Sequence, residues 1–185
     1  QALFGHLQYA AGDNWTIIGG VRFDREYREL KMRGDVEVPG SFSFPYRSDT
    51  SASLRFSAFS PKAGLSYRLS DKNQVYVTVS KGFRAGGLTP LAADPSQVPL
   101  SPFKPEYSTS WEAGSKSSFL NGKWIVNFDL FHTVINDLQV PTLLLPDGIT
   151  VIRNSGKLLS VGAELEGSYL LLRNLSIDYA LGLTR

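Results

Sequence analysis

Glu164 and Glu166 stand two residues apart, which on an extended chain puts their α-carbons about 6.6 Å apart on one face. A carboxylate pair is what glycoside hydrolysis uses, one acid protonating the leaving group and the other acting as base or nucleophile. The plainer reading is two acids on a polar face, balanced by nearby Arg and Lys. His6 and His132 are the only histidines, and neither has a partner at metal-ligand spacing. There is no cysteine, which removes disulfides and thiolate metal sites. The glycine-rich run 82–87 and Ser155-Gly156-Lys157 match no phosphate loop and would join strand to strand. The sequence therefore assigns no catalytic residue, no metal ligand and no cofactor, and it reads as a non-enzyme. Binding has better material in Phe42, Phe44, Tyr46 and Arg47, which crowd one connection, and in Arg84, at the end of an expected strand. The plainer alternative is that these side chains pack the connections together.

The elements that would carry these residues show a period of two. Trp15, Ile17, Gly19, Val21 and Phe23 alternate with Thr16, Arg22 and Asp24. Val75, Val77 and Val79 alternate with Tyr76, Thr78 and Ser80, and Val161, Ala163, Leu165, Gly167 and Tyr169 with Ser160, Glu164, Glu166 and Ser168. Strands with one apolar and one polar face read this way. Eight are expected, near residues 2–10, 15–27, 59–70, 74–84, 107–119, 124–135, 159–171 and 175–184. Most are about 9–13 residues long, beyond the globular mode and close to what a tilted membrane strand needs.

The connections sharpen this. Ala11-Gly12-Asp13-Asn14, Asp71-Lys72-Asn73, Leu120-Asn121-Gly122-Lys123 and Leu172-Arg173-Asn174 are short and made of turn-forming residues. They alternate with three long connections of about 20–35 residues, an asymmetry typical of outer-membrane barrels, whose short turns face the periplasm. Of the ten prolines, Pro61 alone touches an expected strand, near its start, and the others fall in the long connections. Tyr9, Trp15, Tyr67, Phe119, Trp124 and Tyr169 flank the short turns on the apolar face, as an interfacial aromatic girdle does. By parity, Arg22, Asp24, Lys62, Arg68, Arg84, Glu112, Lys116, Asp129, Glu164, Glu166 and Asp178 share the polar face, and Lys81 falls on the apolar one.

The composition is compatible: 42% hydrophobic and 12% aromatic, with 17 glycines. No stretch approaches the roughly 18 apolar residues of a membrane helix, and barrels hide their hydrophobicity in alternation. A net charge of +2 gives no footprint for nucleic acid.

Three blocks carry a family resemblance. They are Ser60-Pro61-Lys62-Ala63-Gly64-Leu65-Ser66-Tyr67 with Val75-Tyr76-Val77-Thr78-Val79-Ser80-Lys81-Gly82-Phe83-Arg84-Ala85-Gly86-Gly87, then Lys104-Pro105-Glu106 with Trp111-Glu112-Ala113-Gly114-Ser115-Lys116, then Asn154-Ser155-Gly156-Lys157 with Gly162-Ala163-Glu164-Leu165-Glu166-Gly167. In this order they resemble the barrel of TonB-dependent outer-membrane receptors, over about residues 1–185. The resemblance implies an all-β, antiparallel transmembrane barrel in the bacterial outer membrane, in contact with its lipid. It also implies uptake of a ferric siderophore or similar small nutrient, with energy passed on by the TonB complex. Such barrels have 22 strands around a plugged lumen. With eight strands, no plug domain and no TonB-contacting segment, residues 1–185 are expected to be part of a larger receptor barrel. Ferric siderophores are anionic and carry flat chelating groups, which makes Tyr46, Arg47 and Arg84 the candidate ligand-binding residues. Two other readings stay open: a self-contained eight-stranded outer-membrane barrel serving as anchor or adhesin, and a soluble β-barrel or sandwich binding carbohydrate or lipid.

Overall fold

A computed structural model describes the backbone over residues 1–36, 46–89, 101–145 and 149–185, and the side chains over 1–31, 51–89, 102–145 and 150–185. Eight strands form one antiparallel sheet: β1 (Ala2–Ala11), β2 (Trp15–Val36), β3 (Tyr46–Ser70), β4 (Asn73–Arg84), β7 (Glu106–Phe119), β8 (Trp124–Asn136), β11 (Lys157–Leu172) and β12 (Leu175–Thr184). They lie side by side in chain order, so each strand pairs with its sequence neighbours in a meander. Two small antiparallel pairs stand apart, β5 (Gly87–Thr89) with β6 (Ser101–Phe103), and β9 (Gln139–Leu144) with β10 (Ile149–Asn154).

The register carries each face across the whole sheet. Tyr9, Ile17, Leu65, Val77, Ala113, Leu130, Ala163 and Leu183 form one unbroken row, one residue from each strand. The next row, on the opposite face, is Ala10, Thr16, Ser66, Tyr76, Gly114, Asp129, Glu164 and Gly182. Partners in a ladder share a face, so parity set in one strand is set in all.

Among the described residues no core forms between layers. Ala58, Ala85 and Val151 are the only buried hydrophobic residues among the described ones, while Leu7, Ile17, Val77, Leu130, Leu181 and many others stay exposed on the outward face. In water such a face would be a large unpaid hydrophobic surface. Against hydrocarbon it is the ordinary exterior of a membrane barrel, with the polar row facing the lumen.

The four short connections lie where their residue types place them. Gly12, Asn121 and Gly122 take positive φ, and Leu120–Gly122 make one 3-10 turn. The Lys72 ammonium donates to Asn121 Oδ1 at 3.0 Å, tying two neighbouring turns together. The aromatic girdle is present at the same end. The Trp15 and Tyr67 rings lie 4.5 Å apart, Phe119 and Trp124 5.5 Å, and Trp124 Nε1 donates to the Tyr179 hydroxyl at 2.9 Å.

Three expectations are corrected. β2 and β3 run far past residues 27 and 59, pairing as far as Val36 with Tyr46, so much of the first long connection is ladder. The other two long connections hold the pairs β5–β6 and β9–β10, which makes Pro102 and Pro141 strand residues, opposite Leu88 and Ile152. Pro61 lies well inside β3, opposite Val21. The β3–β4 ladder begins at the next residue, Lys62 with Ser80. Having no N–H to give, Pro61 sits where one side of β3 is free of a partner.

Candidate functional site

The lumen face holds a compact polar cluster. The Tyr76 hydroxyl donates to Glu112 Oε1 at 2.8 Å and also lies against Asp129 Oδ1. The Lys116 ammonium sits 5.8 Å from the Tyr76 ring centroid, within cation–π range. Gly114 stands at the centre, paired with Tyr76 on one side and Asp129 on the other. Three strands thus bring a phenol, two carboxylates and an ammonium together in mid-sheet. Glu166 accepts from Asn127 Nδ2 at 3.1 Å, so this acid too is held by a lumen neighbour. His132 points outward, opposite Trp111 and Val161, and among the described residues no group of three or more His, Asp and Glu could hold a metal ion.

Further along β4 the wall reaches its mouth. Arg84 ends the strand opposite Glu106, and one guanidinium nitrogen lies 3.9 Å from Glu106 Oε2. The Arg84 side chain is 66% exposed and that of Glu106 12%. The contact is loose and the guanidinium mostly open to solvent. Glu106 is better engaged elsewhere, accepting the Gln139 backbone N–H at 2.8 Å. Gln139 is buried and sends its amide to the Ala85 and Lys104 carbonyls at 3.0 and 3.1 Å. Asn154 grips Lys104 from both sides: the Lys104 N–H donates to Asn154 Oδ1 at 2.6 Å, and Asn154 Nδ2 donates to the Lys104 carbonyl at 2.9 Å. Nδ2 also reaches the Asp137 carbonyl at 2.7 Å. Ile152 N–H donates to Thr89 Oγ1 at 3.2 Å. Phe56 and Phe103 lie so near Gly86 and Gly87 that an added Cβ would meet Phe56 Cζ at 2.8 Å and Phe103 Cζ at 2.6 Å. The β5–β6 and β9–β10 pairs are therefore bound to each other and to the end of β4.

Arg84 stands on the lumen side at the mouth, as its parity predicts. Its acidic neighbour is Glu106, the first residue of β7, and not Glu112, which the Tyr76 hydroxyl occupies. Tyr46 and Arg47 begin β3, opposite Val36 and Asp35. With Lys62 opposite Ser80, they lie about 40 Å further along the strand direction than Arg84, at about 3.3 Å per residue. Their side chains, with Phe42 and Phe44, lie outside the described residues. The fold does not gather Tyr46, Arg47 and Arg84 at one point of the wall. The residues that build the mouth, Lys104, Glu106, Gln139 and Asn154, carry no chemical signal of their own in the sequence. Two of the quoted blocks do contain Lys104, Glu106 and Asn154, and the structure shows these blocks clasping one another.

A membrane-facing meander with a polar wall is shared by many barrels, and comparison separates them. The chain matches, over residues 1–184, the family model described as TonB dependent receptor-like, beta-barrel. The chain belongs to this family. It is a β-barrel segment of the bacterial outer membrane, in a family of transport receptors. The metal-pseudopaline receptor CntO of Pseudomonas aeruginosa is 29% identical over 125 residues, which is 68% of this chain and 16% of that protein. The ferric yersiniabactin uptake receptor FyuA from Yersinia pestis shares the fold with a TM-score of 0.78 at 22% identity, covering 100% of this chain and 26% of that one. The ferric-catecholate import receptor Fiu from E. coli K12 does so with a TM-score of 0.67 at 16% identity, covering 100% and 24%. The chain thus spans about a quarter or less of these relatives.

Proposed function

We propose that residues 1–185 form one arc of a larger, closed TonB-dependent barrel that takes a ferric siderophore or a similar metal chelate across the outer membrane. The family match from residue 1 to 184 carries this reading. It is supported by relatives named for metal-pseudopaline, ferric yersiniabactin and ferric-catecholate, all metal chelates. The remaining strands, a plug and the segment that meets the TonB complex would come from the rest of a longer protein. An eight-stranded barrel closed on itself has less support, because β1 and β12 are the two edges of the sheet.

On this reading Arg84 is one ligand contact of the segment. It is cationic, on the lumen side of the mouth, and only loosely matched by Glu106. In the full-length receptor Arg84→Ala removes a charge-assisted contact of about 1.5–3 kcal/mol, lowering chelate affinity about tenfold to a hundredfold. Binding of ferric chelates and heat-modifiable gel mobility are measured on the same variant. Unchanged affinity with intact assembly would remove Arg84 as a contact. Tyr46 and Arg47 are proposed as separate contacts further out, tested by the same pair of measurements.

Orientation has its own check, since the chain contains no cysteine. A membrane-impermeant thiol reagent on whole cells is expected to label Lys31→Cys and to spare Asn121→Cys, with the short turns facing the periplasm. The reverse labelling would invert the barrel.

A further inference from the structure

We propose that the outward face of the β2–β3 ribbon binds the phosphorylated headgroup of an outer-leaflet glycolipid, through Arg25 and Arg55. Outward residues on β2 run Trp15, Ile17, Gly19, Val21, Phe23, and on β3 their partners are Tyr67, Leu65, Ala63, Pro61 and Phe59. That apolar stretch is about nine residues tall, close to the roughly 9–11 a tilted strand uses to cross hydrocarbon. The next outward residues on β2 are Arg25 and Tyr27, opposite Ser57 and Arg55. Arg25 and Arg55 are thus diagonal neighbours on one face, at the level where the apolar band ends, with Cα atoms about 7–8 Å apart. The Arg55 guanidinium lies 5.7 Å from the Tyr27 ring centroid, which holds it against the strand. A tyrosine at this height suits the headgroup layer.

The charges on the two faces are handled differently. On the lumen side Arg22 holds Asp24 through a two-toothed contact at 2.8–3.0 Å, and Arg28 holds Glu26 at 2.6–3.0 Å. On the outward side the acid nearest this level among the described residues is Glu29, which Lys31 takes at 3.2 Å. Arg25 and Arg55 are exposed and, among the described residues, have no ion-pair partner. Arg25, at the next outward position above Phe23 and Phe59, and Arg55, one outward position further, form an amphiphile's complement, with an anion above and chains below. Guanidinium forks match phosphate oxygens in geometry as well as charge. A free phosphate would satisfy only the upper half of this surface, and a soluble protein partner would meet the acyl layer below it. A phosphorylated lipid satisfies both.

The test uses the full-length receptor, purified in mild detergent, with native mass spectrometry to count bound lipid. The probes are diphosphorylated lipid A, dephosphorylated lipid A and inorganic phosphate. The wild-type receptor should hold the phosphorylated lipid about tenfold or more tightly than the dephosphorylated one, a difference of the size charge-assisted contacts give. Arg25→Gln with Arg55→Gln should remove that preference and leave binding of dephosphorylated lipid unchanged. Arg28→Gln, on the lumen side, should keep it. Equal binding of the two lipids by the wild-type receptor would overturn the proposal, and this comparison needs no variant. Retained preference in the double variant would overturn it too, as would displacement of the lipid by millimolar inorganic phosphate, which would mark a site for free anions.

Discussion

Val77→Arg should block assembly of the receptor in the outer membrane, while Ser168→Arg should assemble. Val77 belongs to the outward row that crosses all eight strands, and the residue is 45% exposed with no polar neighbour beside it in that row. A basic side chain there stands in hydrocarbon, at a cost approaching the about 2–4 kcal/mol of the bilayer midplane. Ser168 is on the lumen face, opposite Asp178 on β12 and Ile125 on β8, so an arginine there gains an acid within reach. Heat-modifiable mobility of both variants in isolated outer membranes gives the answer. Equal assembly of the two would mean that the outward face does not meet lipid, and the membrane reading of the sheet would fall with it.

Gly114→Leu should be as damaging, for a different reason. An added Cβ at Gly114 would meet the Phe128 carbonyl at 2.8 Å and Tyr76 Cζ at 2.9 Å, and would press on Asp129 Oδ1. Backbone cannot retreat from a ladder without breaking it, and Tyr76 cannot swing away without leaving Glu112 and Asp129. Overpacking of this kind costs about 1–3 kcal/mol, and loss of the hydrogen-bonded cluster adds to it. Gly19→Leu is the matched control, since nothing lies within 4 Å of a Cβ built there. It extends into the lipid layer and should leave the urea midpoint of the folded barrel near that of the wild-type receptor. If Gly114→Leu unfolds at the same urea concentration as Gly19→Leu, the cluster is not packed as described.

The eight strands and their faces could be read from the chain because the signal is local. Alternation of two demands only that neighbours along one strand face opposite solvents, and between Trp15 and Asp24 one solvent is hydrocarbon and the other water. Above that level both faces are wet. Arg25, Tyr27, Glu29 and Lys31 stand outward while Glu26 and Arg28 stand inward, so parity vanishes although the ladder continues to Val36. The sequence reading stops β2 near residue 27 for this reason. Pro61 misled in a similar way. A proline ordinarily marks the start of a strand, and here the neighbouring strand β4 leaves the ladder instead.

The residues proposed to bind ligand divide along the same line. That Arg84 faces the lumen follows from the parity of Tyr76, Thr78 and Ser80, residues of its own strand. Which acid meets it does not: Glu106 is brought opposite by the β4–β7 register, while Glu112 is taken by Tyr76. The clasp of Lys104 by Asn154 joins residues 50 positions apart. Gln139 reaches Ala85 across 54. The sequence alone determined the class, the alternation of short and long connections, and which side of each membrane strand is polar. Each of these depends on a residue and its near neighbours. Tertiary structure alone decided that the two outer pairs lock together at the end of β4, and that Tyr46 and Arg47 begin a strand about 40 Å further along than Arg84. Such pairings are made between strands, where register and chain path bring distant residues together, and no periodicity within one strand encodes them.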